Sequence, residues 1–453
     1  MNYKDVYIMN DLVNNYRSFL DNGKTERECV NEIVKQAEKA GYKDVTKVKG
    51  QIKPGDKVYF NHMGKTIALY HIGTEDIQNG MNILGAHIDS PRLDVKSYPL
   101  YESDGLVYLD THYYGGIKKY QWVTLPLAIH GVVIKKDGTK LDIVIGEDEN
   151  EVSLSISDIL PHLGQEQAKK TLADAIKGEA LDILIGLAPK ADKDSKEEDK
   201  VSGKDLLIKL IEDKYGFEEA DFLSAELEVV PAGKARIAGL DGSMILAYGH
   251  DDRSCAYTSL AALLASNETP KRTSLCLLAD KEEIGSVGAT GMNSNFLENA
   301  TSEVIEVLCG FTELKLKRAL RNSKMLSSDV SAAYDPLNAE LFDKKNSAQL
   351  NYGIAFNKYT GSRGKAGSND ANPEFIAQIR ALLDNKKISY QFAELGKVDQ
   401  GGGGTIAYMC AKYGMDVIDS GVPVLSMHAP WETIAVYDLE CALETYKAFL
   451  TIK

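Results

Sequence analysis

The chain has 453 residues and a formal net charge of -14 at pH 7, with 44% hydrophobic and 26% charged residues. That length exceeds one ordinary core, so two domains are expected, and the composition is that of a globular protein. The acidic excess repels phosphate backbones, and no Lys/Arg run interleaves with aromatics, which argues against a nucleic-acid partner.

The opening residues Met1-Asn2-Tyr3-Lys4-Asp5-Val6 carry neither the basic nor the apolar stretch of a signal peptide, and no run approaches the roughly 18 apolar residues that span a bilayer. A cytoplasmic protein without a membrane partner is the expectation. The cysteines (Cys29, Cys255, Cys276, Cys309, Cys410, Cys441) show no CxxC spacing. They predict buried small hydrophobes rather than a zinc ribbon or a disulfide scaffold. Cys255 lies close to Asp251, but no histidine stands at a spacing that would make it a nucleophile.

Residues 10–40 carry apolar positions at helical spacing (Leu12, Val13, Tyr16, Phe19, Leu20), and Thr25-Glu26-Arg27-Glu28 reads as the start of a second helix. Strands are expected at Lys57-Val58-Tyr59-Phe60 and Thr66-Ile67-Ala68-Leu69-Tyr70. Between about 95 and 240 the texture changes to short strands. Gly131–Ile134 and Leu141–Ile145 flank an Asp137-Gly138 turn, a strong hairpin signal. Within this stretch, residues 189–205 mix both charges without apolar periodicity and read as a surface loop.

After residue 244, alternation returns: a strand to His250, a helix over 253–265, a strand over 273–279, a helix near 291–299 and a strand near 303–309. The fold class is therefore α/β, a layered domain whose two parts, 1–95 and 244–453, are separated by a β-rich insert at 96–243.

Five short segments place metal-binding side chains just after apolar runs: Ile83–Asp89 with His87, Ala247–Asp252 with Asp251, Leu277–Glu283, Met325–Asp329, and Val424–His428. Buried parallel strands read as continuous apolar runs, and open α/β sheets bind ligands at the carboxyl ends of those strands, so the five segments can converge on one site. Two imidazoles and three carboxylates suit two divalent cations. Each cation needs about three protein ligands and an open position, so one carboxylate must bridge. His87, Asp251, Glu283, Asp329 and His428 are the candidate ligands, with Asp251 bridging. Glu282 is the candidate general base, and Asp89, two residues past His87, is placed to orient it.

Singly, an Asp-Asp pair is usually a solvated turn and a lone histidine a satisfied core residue; the conjunction of five such segments carries the reading. His250 precedes Asp251 and is assigned to supporting a ligand from behind or to packing, and His62, His71 and His162 to structure. Asn22–Thr25 and Met63–Thr66 end like phosphate-binding loops but lack the earlier glycine. Gly401-Gly402-Gly403-Gly404-Thr405 leads toward a helix and reads as a tight turn or an anion cradle.

At these residues the sequence resembles the aspartyl aminopeptidase and vacuolar aminopeptidase I family of co-catalytic zinc metallopeptidases. The marks are the run His87–Asp94, the Asp-Asp pair at Asp251, Glu282–Ser286, Ser328-Asp329 and Ser426-Met427-His428, and the likeness covers nearly the whole chain. The resemblance implies a three-layer zinc-exopeptidase-like catalytic domain in two parts and an inserted β-rich dimerisation domain. It implies the same ligands and base, and a homo-oligomer, typically a tetrahedral dodecamer built from dimers. It also makes Leu127-Ala128-Ile129-His130 similar to a family segment whose histidine reaches a neighbouring subunit's site; a core-facing strand histidine is the plainer alternative.

Aspartate-selective members carry a cation in the pocket for the first side chain. The stretch Phe356–Lys365 stands there with Lys358 as candidate, so an acidic or a neutral side chain is expected. The glycines of Tyr113–Ile117 suit close backbone approach. The function implied is a metalloaminopeptidase acting on peptides. Zinc is the first metal expected, while ligands of oxygen and imidazole also admit manganese and cobalt. A carboxypeptidase or deacylase with the same paired metals, and a silent assembly protein, are the alternatives.

Overall fold

The computed structural model of the chain describes residues 11–148, 150–190, 202–361 and 364–452. Most of the expected 189–205 loop, and Ser362 and Arg363 of the Lys358 stretch, lie outside them. The chain divides into two compact units. The first runs up to Ser90, takes in Lys234–Met427 and resumes at Trp431; the second is Pro91–Gly233 with His428–Pro430.

The first unit begins with α1 (Asp11–Asn22) and α2 (Glu26–Lys39). Thr25 caps α2 through a reciprocal box: Glu28 N donates to Thr25 Oγ1 and Thr25 N to Glu28 Oε2. Then come β1 (Lys43–Asp44), β2 (Lys57–His62), β3 (Thr66–His71) and β4 (Asn82–His87).

The second unit carries β5 (Arg92–Ser103), β6 (Leu106–Tyr114), β7 (Leu127–Ile134), β8 (Lys140–Ile145), short helices α3 (Gln165–Ala168) and α4 (Leu172–Ala175), β9 (Ile183–Leu187), α5 (Gly203–Tyr215) and β10 (Ala225–Pro231). These strands form an antiparallel sheet in the order β8-β7-β10-β5-β6-β9. The β7–β8 hairpin turns where expected, with Gly138 at φ +86° supplying the left-handed residue. Trp122, Leu127, Ile129, Val133, Val229 and their neighbours form the core of this unit.

The first unit then continues through β11 (Arg236–Ala238), β12 (Met244–Ala247), α6 (His250–Leu264), β13 (Ser274–Ala279), α7 (Phe296–Cys309), α8 (Glu313–Arg321), β14 (Lys324–Ser328) and β15 (Ser331–Ala332). It ends with β16 (Ile354–Asn357), α9 (Pro373–Lys386), β17 (Tyr390–Phe392), α10 (Ala407–Ala411), β18 (Asp416–Gly421), β19 (Pro423–Leu425), β20 (Glu432–Ala435) and α11 (Val436–Phe449). The strand expected near 303–309 is the second half of α7. Its β-branched residues favour a strand, but Leu297, Ala300, Thr301, Val304 and Ile305 continue one buried helical face, and that packing overrides propensity.

The main sheet has the order β1-β2-β3-β13-β4-β14-β18-β16-β17. Its centre is parallel: β13 with β4, β4 with β14, and β14 with β18. Successive residues alternate between two cores. Leu84, Cys276, Leu278 and Leu326 face a cluster with α1, α2, α6, α9 and α11; Ile83, Leu275, Leu277 and Met325 face one with α7, α8 and α10. Helices thus cover both faces, the three-layer arrangement that a continuous apolar run requires. A smaller sheet, β11-β12-β20-β19-β15, completes the unit. Among the described residues, no helix is long and apolar enough to cross a membrane.

Candidate functional site

Three of the predicted segments leave the main sheet side by side. His87 is the last residue of β4, Glu282 and Glu283 open the turn after β13, and Asp329 follows β14. Because β13, β4 and β14 are parallel neighbours, their carboxyl ends share one edge. Asp251 departs from the expectation of a single sheet. It enters by way of β12, in the smaller sheet, and lies in the first turn of α6. Gly249, at φ +76°, makes the turn between them, and a Cβ there would meet the Arg253 guanidinium.

His87 is the hub. Its Nε2 lies 3.3 Å from Asp251 Oδ1, 3.9 Å from Asp329 Oδ1 and 4.0 Å from Glu282 Oε2. Ligand atoms of His87, Glu282 and Asp329 fall within 4.8 Å of one another, as do those of His87, Asp251 and Glu283. Two like charges about 4 Å apart repel by about 4 kcal/mol at an effective dielectric of about 20. The carboxylates answer to that crowding. Burial first, then the charges of Asp252, Glu282 and Asp251, hold the Asp329 carboxyl well above the usual range. Burial alone pulls the His87 imidazole down, but its contacts with Asp251 and Asp89, with the charges of Asp89 and Asp329, outweigh it and raise it. A set of nitrogen and oxygen donors that repel one another fits divalent cations, which would relieve the repulsion.

The two groups share His87, whereas Asp251 was expected to be the shared ligand. An imidazole nitrogen has one lone pair and cannot bridge two cations. Of Asp251, Glu282 and Asp329, Asp251 brings a carboxylate oxygen nearest to Nε2.

The surroundings fix each donor. His87 Nδ1 lies 3.2 Å from Asp89 Oδ1 and 3.1 Å from the Asp89 carbonyl. The Asp89 carboxylate also accepts Glu282 N on Oδ1 and Glu283 N on Oδ2. The glutamate turn is short, bracketed by Lys281 at φ +67° and Gly285 at φ +91°, so both side chains are presented from one point. Other residues support the site from outside the two groups. Glu432 of β20 accepts Asp251 N, Ser90 Oγ donates to the Asp251 carbonyl, and the buried Asp252 accepts His87 N. Asp252 belonged to a visible pair; nothing singled out Glu432.

The remaining candidates are placed differently. His428 is in neither group; it lies in the second unit at φ +65°, with Nδ1 3.0 Å from the Gly116 carbonyl. A Cβ on Gly116 would sit 3.3 Å from that nitrogen, the close approach expected of these glycines. His130 is 4% exposed on β7, with Nε2 3.2 Å from Glu147 Oε1.

Lys358 follows β16, which runs antiparallel to β18 and so points away from the His87 edge. The register aligns Asn357 with Asp419, Asp419 with Ser327, and Ser327 with Gly85. Three strand spacings and three residue rises then separate Lys358 from His87, roughly 17 Å. The structure does not bring it to the cluster. His250 is buried, with Nδ1 2.7 Å from Tyr16 Oη and Nε2 3.1 Å from the Ile245 carbonyl; burial pushes it down to about 3. It packs, as expected, though from a helix rather than a strand. Cys255 is fully buried and its thiol is raised by burial and by the Asp252 charge, so it is no nucleophile.

A family model described as aminopeptidase I zinc metalloprotease (M18) matches residues 19–450. The probable M18 family aminopeptidase 1 of Clostridium acetobutylicum is 54% identical over 450 residues, 99% of this chain and 95% of that one. Its counterpart in Thermotoga maritima is 42% identical over 438 residues, 96% of this chain and 94% of that one. Among solved structures, aminopeptidase I from Clostridium acetobutylicum superposes with a TM-score of 0.90 at 52% identity, covering 99% of this chain and 98% of that one. A structure described as an S. cerevisiae mApe1 dodecamer gives 0.75 at 20% identity over 97% and 96%, a likeness of fold alone.

Proposed function

The chain belongs to the aminopeptidase I zinc metalloprotease (M18) family, a peptide-hydrolysing enzyme family, and we propose that it removes the N-terminal residue from peptides with Glu282 as general base. The observation that carries this is the convergence of two metal-competent groups on His87. A carboxypeptidase or deacylase, and a silent assembly protein, are not favoured by relatives that are themselves named aminopeptidases.

His87, Asp251, Glu283, Asp329 and His428 would hold two divalent ions, zinc first, with manganese or cobalt compatible with the same donors. When bound, these ions would supply Lewis acidity for the scissile carbonyl and lower the pKa of water. Asp89 keeps the proton of His87 on Nδ1, so that Nε2 offers its lone pair inward. On His428, the contact of Nδ1 with Gly116 has the same effect. Glu282, with its side chain 16% exposed, takes a proton from the attacking water and returns it to the leaving amine.

We further propose a homo-oligomer, a dodecamer built from dimers, acting in the cytoplasm on peptides with acidic or neutral first residues. The β-rich second unit, 96–243 by the sequence boundaries, would be the dimerisation domain. The dodecameric assembly of a relative of the same fold supports this reading.

The test is direct. Metal-loaded protein is incubated with amino-acyl anilides and with N-acetylated peptides. Turnover of the free-amine substrates is expected; cleavage of the blocked ones alone would overturn the proposal.

A further inference from the structure

Asp280 lies between β13 and the glutamate turn, two residues before Glu282, and is fully buried. None of the roles above uses it. Its Oδ2 accepts a hydrogen bond from Thr290 Oγ1 at 2.5 Å and stands 3.5 Å from Lys281 Nζ and 4.0 Å from Lys65 Nζ. Lys65 Nζ in turn lies 2.9 Å from Oε1 of Glu26, which is also fully buried, in the first turn of α2. Glu26, Lys65, Asp280 and Lys281 therefore alternate in charge along one row.

This row ties together segments far apart in sequence. Lys65 sits in the turn between β2 and β3, where Lys65 N donates to the His62 carbonyl, and Thr66 Oγ1 donates to the Leu278 carbonyl of β13. Asp280 forms a bridge to Gly291, and Ser286 N donates to the Lys281 carbonyl, closing the loop that carries Glu282 and Glu283. From the other side, the Asp89 carboxylate takes the amides of those same two glutamates.

We propose that Asp280 is a positioning residue: with Lys65 and Glu26 it clamps the glutamate turn from behind while Asp89 holds it in front, so that the charge row sets where Glu282 points. A buried ion pair is weak evidence for stability, since apolar residues of the same shape often serve as well. Its better-attested use is to specify one geometry. The inference rests on Glu282 acting as the base.

The experiment compares kcat, KM, bound metal and Tm of the full, metal-loaded chain on an amino-acyl anilide. Asp280→Asn lowers kcat on the order of 10²-fold, as a displacement near 1 Å does, with KM and metal content close to wild type. Lys65→Met acts similarly. The double variant Lys65→Met/Asp280→Asn falls little further than the worse single variant, because both residues act on the same turn and their effects do not add. Should Asp280→Asn fail to fold, Thr290→Val removes only the hydroxyl, and a several-fold fall in kcat at unchanged metal content is expected.

Single variants with wild-type kcat per folded molecule, or a double variant whose losses simply add, overturn the inference. A metal-loaded wild type that does not turn over the free-amine substrate overturns the aminopeptidase reading and this inference with it. Wild-type turnover that Asp280→Asn and Thr290→Val leave intact overturns this inference alone.

Discussion

His87 Nδ1 lies 3.2 Å from Oδ1 of Asp89, and this contact turns Nε2 toward Asp251, Asp329 and Glu282. With the proton held on Nδ1, Nε2 would be left to offer its lone pair to a bound cation. Asp89 is fully buried, and its carboxylate also accepts the amides of Glu282 and Glu283. One side chain therefore orients a ligand and the turn that carries the base. Asp89→Asn keeps the volume but places an NH2 against one of these N–H donors. Metal affinity, measured by titration against a competing chelator, is expected to fall by about 10- to 100-fold, with kcat falling as well. Unchanged affinity would assign Asp89 to packing.

Glu282 and Glu283 are neighbours with the same chemistry, and Glu282 stands 4.0 Å from His87 Nε2, close enough to be read as a ligand. Glu282→Gln separates the two roles. As a base, its loss lowers kcat by about 10²- to 10⁴-fold while metal content stays at the wild-type level. Glu283→Gln should instead reduce bound metal. Loss of metal from the Glu282 variant would exchange the two assignments.

Much of this site was legible because parallel strands leave a plain trace. Ile83–Ala86, Leu275–Ala279 and Met325–Leu326 are buried on both faces, so each is an unbroken apolar run, and the polar residue that ends it marks the sheet edge. The geometry that was not legible lies where distant segments meet without a local pattern. Glu432 is a single acid in a short strand, and only the pairing of β20 with β12 brings it to Asp251. The place of Lys358 was not legible for a related reason: its sequence gives no sign that β16 runs against its neighbour. In α7, Val304, Ile305 and Val307 have strand propensity, and only the burial of one helical face decides the matter.

The crowded carboxylates predict how the protein responds to metal removal. Asp251, Glu283, Glu282 and Asp329 all lie within reach of one imidazole, and without cations their mutual repulsion is uncompensated. Exhaustive chelation should abolish hydrolysis and lower Tm. Re-addition of zinc, manganese or cobalt should restore activity, with saturation at two ions per chain by elemental analysis. Saturation at a single ion would remove the basis for a bridging Asp251.

Acid stability offers a check away from the site. His71, at the end of β3, is 1% exposed and faces Lys57 across the β2–β3 register. Burial, aided by the Lys57 charge, pushes its imidazole down to about 4. The folded value thus lies below the unfolded value of about 6.5. As pH falls from about 6.5 toward 4, the unfolded chain binds a proton that the folded chain refuses, and stability drops by about 1.4 kcal/mol per pH unit. Above about 6.5 the contribution is fully present. Between pH 7 and pH 5 the loss is about 2 kcal/mol, or about 2 °C in Tm for a chain of this length. His71→Gln removes the titration. Its Tm at pH 7 should be lower than wild type through lost packing, yet its further decline to pH 5 should be smaller by about that amount. Parallel declines in both proteins would show that His71 exchanges its proton freely in the fold.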